Sequence, residues 1–165
     1  MTIPPEDPRH QRAAQSRQPI TILMADDDED DRMFAEDALV ESRVLNNFRC
    51  VEDGEELMDY LKRRGKYAAP GSAPRPGLIL LDLNMPRKDG REALAEIKSD
   101  PRLRSIPVIV LTTSSAQEDI IRSYDLGVNS FVSKPVTFAG LVDVMRDLGR
   151  YWIEIVQLPD TGQED

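Results

Sequence analysis

Short apolar runs alternate along this chain with stretches of helical spacing. "ITILMA" (20–25), "LILLD" (78–82) and "IPVIVLT" (106–112) are near-continuously apolar, the pattern of strands buried on both faces. Two weaker runs, within "RVLNNFRCVED" (43–53) and "NSFVSKP" (129–135), predict two further strands. Between them lie helix-permissive segments. One runs from Asp30 to Ser42. Another follows Gly54, with Leu57, Tyr60 and Leu61 on one face, and a third follows Gly90, with Leu94 and Ile97 facing inward until Asp100–Pro101 stops it. Ser115 and Glu118 have capping-box spacing for a fourth helix ending at Gly127, and Thr137 opens a long last one. "RRGKYAAPGSAPRPG" (63–77) is a Pro/Gly-rich loop, longer than most connections. Five β-then-α units predict an α/β domain with a five-stranded parallel sheet covered on both faces.

Composition narrows the function classes. At 165 residues the chain is long enough for one domain with a substantial core. A net charge of -9 argues against nucleic acid, which needs clustered Lys and Arg. No run approaches the length of a membrane span, and a lone cysteine, Cys50, suits a reducing compartment. The expected location is the cytoplasm. Residues 1–19 lack the apolar core of a signal peptide and read as a disordered tail. The sole histidine, His10, lies in that tail, which disfavours His-centred metal or triad chemistry. A domain over 20–158 and a short tail at 159–165 are expected, with no room for a fused output domain after Pro159.

One feature of this pattern is costly. The first strand runs directly into six consecutive acids, Asp26 through Asp31, and adjacent carboxylates repel. Open parallel sheets place their sites beyond the carboxyl ends of the strands. Asp26 and Asp27 follow the first strand and Asp82 ends the third. Thr112 and Thr113 end the fourth, and Lys134 follows the fifth. Three carboxylates, hydroxyls and one ammonium would meet in one crevice. Such a set suits a hard octahedral cation such as Mg2+, which relieves the repulsion and bridges to phosphoryl oxygens. A carboxylate there is also a candidate nucleophile, giving an aspartyl phosphate, with Thr112 and Lys134 as a hydroxyl donor and a positive charge for the phosphoryl oxygens.

"ILMADDD", "LILLDLNMPRKDG", "VIVLTTSS" and "FVSKP", in this order, resemble the receiver domain of two-component response regulators over about residues 20 to 150. The resemblance implies a flavodoxin-like (βα)5 fold with strand order 2-1-3-4-5. It implies that a sensor histidine kinase phosphorylates Asp82, and that Asp27 ligates Mg2+ directly. Asp26 would hold a metal-bound water and Asn84 would offer its backbone carbonyl. Thr112 would be the switch hydroxyl, Lys134 the phosphate-binding lysine and Phe131 the switch aromatic. A cis Lys134–Pro135 bond is also implied. The "LTTSS" and "DIIRSYDLG" segments and the terminal "YWIEIVQLP" further resemble single-domain regulators paired with bacterial and cyanobacterial phytochromes, so the expected partner is a bacteriophytochrome kinase. Thr113 departs from the small Ala or Gly of many receivers, which would restrict access to the phosphate.

Plainer readings stand beside these. Asp28 to Asp31 suit the solvated first turn of a helix, where carboxylates meet the positive end of the helix dipole. Phe131 and Cys50 suit core positions, and Gly90 and Gly127 suit tight backbone geometry. A flavodoxin would need a phosphate-cradling first loop, which six acids would repel. A haloacid-dehalogenase-type phosphatase needs a second Asp where Asn84 stands, so a signalling phosphoacceptor with slow self-dephosphorylation is expected rather than an enzyme. A degenerate, phosphorylation-independent binding module conflicts with the intact Asp82, Thr112 and Lys134 set. In the last helix Phe138, Leu141, Val142, Met145, Leu148 and Trp152 form a core stripe, which Val144, Tyr151, Ile155 and Val156 widen. Homodimerisation through that helix and the fifth strand is the expectation; the plainer outcome is a terminal segment folded back on its own domain.

Overall fold

The computed structural model describes residues 20–41, 46–113, 117–135 and 137–148. In chain order these form β1 (Ile20–Ala25), α1 (Glu29–Glu41), β2 (Asn46–Val51), α2 (Gly54–Leu61) and a 3-10 turn (Gly65–Tyr67). There follow β3 (Leu78–Leu81), α3 (Gly90–Ser99), β4 (Val108–Thr112), α4 (Gln117–Asp125), β5 (Ser130–Ser133) and α5 (Phe138–Leu148). The strands make one parallel sheet in the expected order, β2-β1-β3-β4-β5. Ile22 sits opposite Phe48 and Leu78, and Val110 opposite Leu81 and Phe131.

The strand period of two divides the apolar side chains between two cores. Ile22, Met24, Leu78, Leu80, Ile109 and Leu111 face Ala35, Ala38 and Leu39 of α1 and Leu141, Val142 and Met145 of α5. Leu23, Ala25, Ile79, Leu81, Val108 and Val110 face the opposite way, onto Leu57 and Met58 of α2 and Ala93, Leu94 and Ile97 of α3. Each fully buried Leu or Ile contributes about 1.5–3 kcal/mol. That is why central strands with almost no polar residue are stable here and would be a liability elsewhere.

Three helices open on an Asp cap placed just beyond a strand. Asp28 accepts from the backbone N–H groups of Asp30 (2.9 Å) and Asp31 (3.2 Å), Asp53 from Glu56 (2.8 Å), and Asp89 from Arg91 (2.7 Å). Such caps contribute about 1 kcal/mol each, and they fix where the chain turns back at the carboxyl edge of the sheet. Glu96 of α3 accepts from Lys62 at the end of α2 (2.9 Å) and from Lys88 in the loop before α3. These two lysine hydrogen bonds hold its carboxyl down at about 2, well below the ordinary 4.5. A depressed carboxylate contributes stability that is present above the unfolded value and lost as pH falls through the folded one. Glu96→Gln should therefore lower the melting temperature at neutral pH and have less effect near pH 3. An equal loss at both pH values, read by scanning calorimetry, would leave the pairing without energetic weight.

Several sequence expectations are corrected in detail. The fourth strand begins at Val108 rather than Ile106, because the Ile106 N–H closes a turn onto the Leu103 carbonyl (3.0 Å) and Pro107 has no N–H to give. Phe138 is not core: at 42% exposure it stands at the first turn of α5, edge-on to the equally accessible Phe34 with ring centroids 5.9 Å apart. Val144 is half-buried against the α1/α5 core, so it does not widen an exposed stripe. The cis Lys134–Pro135 bond is absent and all described peptide bonds are trans, the lower-energy isomer for X–Pro. Ser115, Tyr151, Trp152, Ile155 and Val156 lie outside the described residues, as do the segments 1–19 and 159–165. No described helix is long and apolar enough to cross a membrane.

Candidate functional site

The carboxyl edge of the sheet gathers the residues singled out above. β1 ends in Ala25, whose carbonyl accepts the Asp82 N–H (2.9 Å), so Asp26 and Asp82 emerge side by side from adjacent strands. The Lys134 N–H bonds the Thr112 carbonyl (2.8 Å), which seats the lysine beside the end of β4. The loop leaving Asp82 folds back tightly onto α3. A Cβ at Gly90 would lie 2.2 Å from the Asp82 carbonyl oxygen, and one at Gly54 would lie 2.1 Å from that of Lys88. Both positions therefore need glycine for close approach, and together they hold the loop against α2 and α3.

Within this frame Asp82 is nearly enclosed. Its Oδ1 accepts from the Thr112 hydroxyl (2.8 Å) and the Asn84 backbone N–H (3.0 Å), and its Oδ2 from Lys134 Nζ (3.1 Å). Thr112 is fully buried, and the Asn84 side-chain amide approaches its Oγ1 at 3.4 Å. Lys134 Nζ also donates to Asp26 Oδ2 (2.6 Å) and Asp31 Oδ2 (2.7 Å). Burial alone would lower the lysine, but hydrogen bonds to Asp26 and Asp31 outweigh it and its pKa is raised, so the ammonium is permanent. The Asp26 carboxyl is fully buried, and burial pushes it up to about 6 despite the Lys134 hydrogen bond and the Asp28 N–H (3.0 Å).

The acidic run thus divides by position. Asp26 and Asp27 join Asp82 in a cluster in which one carboxylate oxygen from each lies within 4.8 Å of the others. Asp28 is a cap, Glu29 and Asp30 are exposed, and Asp31 reaches back to the lysine. That contact of Asp31 was missed by reading it as a solvated first turn; nothing in the sequence marks which first-turn acid points inward. Arg32 was missed too: it donates to the Asp26 carbonyl (2.7 Å) and approaches Glu52 at 3.6 Å, tying α1 to the end of β1. Phe131 is half-buried and packs on the α2/α3 core, while its N–H bonds the Tyr124 hydroxyl (3.3 Å). Thr113 is exposed at the mouth.

Lys134 faces Asp26, Asp31 and Asp82, with Asp27 beside them, so carboxylates outnumber the ammonium by three. Like charges this close ionise together only with a cation among them. The donors are hard oxygens, the set that suits a divalent metal with few protein ligands and several waters. A divalent cation fits here, and its charge would offset the burial that raises Asp26.

Comparison with known proteins agrees with this geometry. Residues 22–146 match the response regulator receiver domain family. The response regulator Rcp1 of Synechocystis sp. is 41% identical over 145 residues, 88% of this chain and 97% of Rcp1. Its Mn(2+)-bound crystal structure superposes with a TM-score of 0.79, covering 86% of this chain and 100% of that one. The phosphorylated cyanobacterial phytochrome response regulator RcpA is 43% identical, with a TM-score of 0.81 over 87% of this chain and 100% of its own. The bacteriophytochrome response regulator AtBRR is 40% identical, with a TM-score of 0.66 over 82% of this chain and 96% of its own. Fold, acidic crevice and relatives agree: the chain belongs to the response regulator receiver domain family.

Proposed function

We propose that this protein is a phosphoacceptor of a two-component pathway, receiving a phosphoryl group on Asp82 from a phytochrome-type sensor histidine kinase. The observation that carries this is one carboxylate, Asp82, held at 2.8 Å by Thr112 and 3.1 Å by Lys134 beside two further acids. In the transfer, Asp82 Oδ2 attacks phosphorus; the new O–P bond forms as the P–N bond of the donor phosphohistidine breaks, and its electron pair leaves on the imidazole. Lys134 then faces phosphoryl oxygens instead of a bare carboxylate, and the Thr112 hydroxyl turns from Asp82 Oδ1 toward them.

Mg2+ is the proposed cation, supplying charge neutralisation to the phosphoryl oxygens. Asp27 and Asp82 would hold it directly, with the Asn84 carbonyl, and Asp26 through water. Movement of Thr112 would open space for Phe131 to turn inward and reshape the surface of α4, β5 and α5. The proposed output is by protein contact, including a homodimer through the last helix and β5, in the cytoplasm. RcpA is a cyanobacterial phytochrome response regulator and AtBRR a bacteriophytochrome response regulator; that likeness supports the choice of kinase.

A surface for that kinase adjoins the crevice. Asp31, Phe34, Lys134 and Phe138 line one small pocket of ≈ 90 Å³. Phe34 is 40% exposed, so an apolar ring stands accessible at the rim of the site. Exposed aromatics bordering a reactive centre suit a docked protein that carries the donor. Phe34→Ala with Phe138→Ala should slow transfer from a phosphorylated phytochrome kinase by about tenfold or more, as expected for losing anchors at an interface. Phosphorylation by acetyl phosphate, which needs no docking, should be unchanged. Equal slowing with both donors would place the two rings in the chemistry or the fold rather than in docking.

A further inference from the structure

The opposite edge of the sheet holds a second concavity, which the phosphoacceptor chemistry does not use. A cavity of ≈ 380 Å³ lies between the loop entering β3 and the turn entering β4. Pro76 precedes β3 and Ile106 precedes β4, so the cavity sits at the amino-terminal edge, while Asp82 and Thr112 mark the carboxyl edge. The volume falls in the range of small-molecule sites.

Its lining is unlike the rest of the protein. The chain carries a net charge of -9, yet Lys62, Arg63, Arg75 and Arg102 line this one cavity with one acid, Asp100; the Lys62 ammonium is paired with Glu96 outside the lining (2.9 Å). Two of the guanidinium groups have no carboxylate among the described residues. Among the described residues Arg75 donates to the Arg102 carbonyl (2.7 Å) and the Ser105 hydroxyl (3.3 Å), and its Nε is buried with no acceptor. Arg102 gives its backbone N–H to Asp100 (2.8 Å), and its side chain is exposed at the rim. Arg63 adopts a left-handed backbone, φ 54, directly after α2, where glycine is the usual residue. Its Nε donates to the carbonyl of Ala73, another residue of the lining (3.3 Å). The walls between the cations are apolar: Leu61, Pro76, Leu103 and Ile106.

We infer that this cavity binds a small organic phosphate. A cationic excess of this size suits a dianion better than a single carboxylate. Guanidinium forks match the phosphate geometry, and the apolar walls take an uncharged body. Arg75 Nε is a buried donor without an acceptor among the described residues, and desolvated donors of this kind are costly.

AMP is a suitable probe, with adenosine and inorganic phosphate as its two halves. In 15N-labelled full chain, AMP should shift backbone amides around Arg63, Arg75 and Leu103 and leave those around Asp82 and Lys134 in place. AMP should bind about tenfold more tightly than inorganic phosphate, equivalent to roughly 1.4 kcal/mol, and adenosine should bind least. Arg102→Glu, an exposed position whose replacement does not threaten the fold, should weaken AMP at least tenfold and leave phosphorylation of Asp82 by acetyl phosphate unchanged. Shifts confined to the carboxyl-edge crevice, adenosine binding as well as AMP, or AMP binding indifferent to Arg102→Glu would each overturn the inference.

Discussion

Asp82→Asn should abolish phosphorylation by kinase and by acetyl phosphate alike, a loss of at least about a thousandfold, as expected when a nucleophile is removed. The substitution keeps the shape of the side chain. The amide oxygen still accepts from Thr112 and the Asn84 N–H, so the loop geometry around residue 82 survives. What goes is the attacking oxygen and one negative charge. Because Lys134 keeps Asp26 and Asp31, it stays paired, and the metal-free protein loses no more than about 1 kcal/mol, the scale of one hydrogen bond. Unfolding by denaturant alongside the labelling assay separates chemistry from stability. Hydroxylamine-sensitive label on the mutant at the wild-type level would move the acceptor elsewhere, with Asp26 and Asp27 next in line. A mutant that loses label but also unfolds would be uninformative alone, so Asp82→Glu serves as a second probe. Its carboxylate sits about one methylene further out, collides with the shell set by Thr112 and Lys134, and should label far more slowly.

Much of this site was legible in the sequence for a topological reason. In a parallel sheet every strand ends at the same edge, so polar residues that close apolar runs must meet if those strands are neighbours. β1, β3 and β4 are adjacent, and Asp26, Asp82 and Thr112 close or follow them; Lys134 follows the edge strand β5. The local runs identify the strands, but the neighbour order came only with the family resemblance. Long-range side-chain geometry stayed hidden. Asp30 and Asp31 are adjacent acids on the same first turn, yet Asp31 is the one that pairs with Lys134, and that depends on where α1 lies relative to the residue that follows β5. Phe138 and Val144 were assigned by helical spacing to the wrong environments, because the packing of α5 against α1 decides which part of the apolar stripe is covered. The cationic lining of the lower cavity comes from residues 62 to 102, spread over a loop and two helix ends. No local pattern joins them.

The acidic run gives the second large effect, because its members should respond unequally. Asp27→Ala should lower divalent-cation affinity by about a hundredfold, roughly 2.7 kcal/mol, and phosphorylation should fall with it. Asp27 is the exposed member of the three-carboxylate cluster, so its removal leaves no buried group stranded and the fold should stand. Asp30→Ala should change neither, since its carboxylate is exposed on the first turn of α1 and only its backbone N–H is used, by the Asp28 cap. Asp31→Asn falls between them. It removes one of the three carboxylates holding Lys134, which leaves the ammonium closer in charge balance to Asp26 and Asp82 and leaves the metal donors intact. Cation affinity should then change by less than about tenfold, while phosphorylation slows if the lysine is less well placed. Titration with Mg2+, followed by calorimetry, orders the three variants. If Asp30→Ala and Asp27→Ala were equally impaired, the run would act as a diffuse electrostatic field and not as a site with named ligands. That outcome would also remove the reason for two adjacent acids at the end of a buried strand, since a field needs no particular position and a coordination shell does.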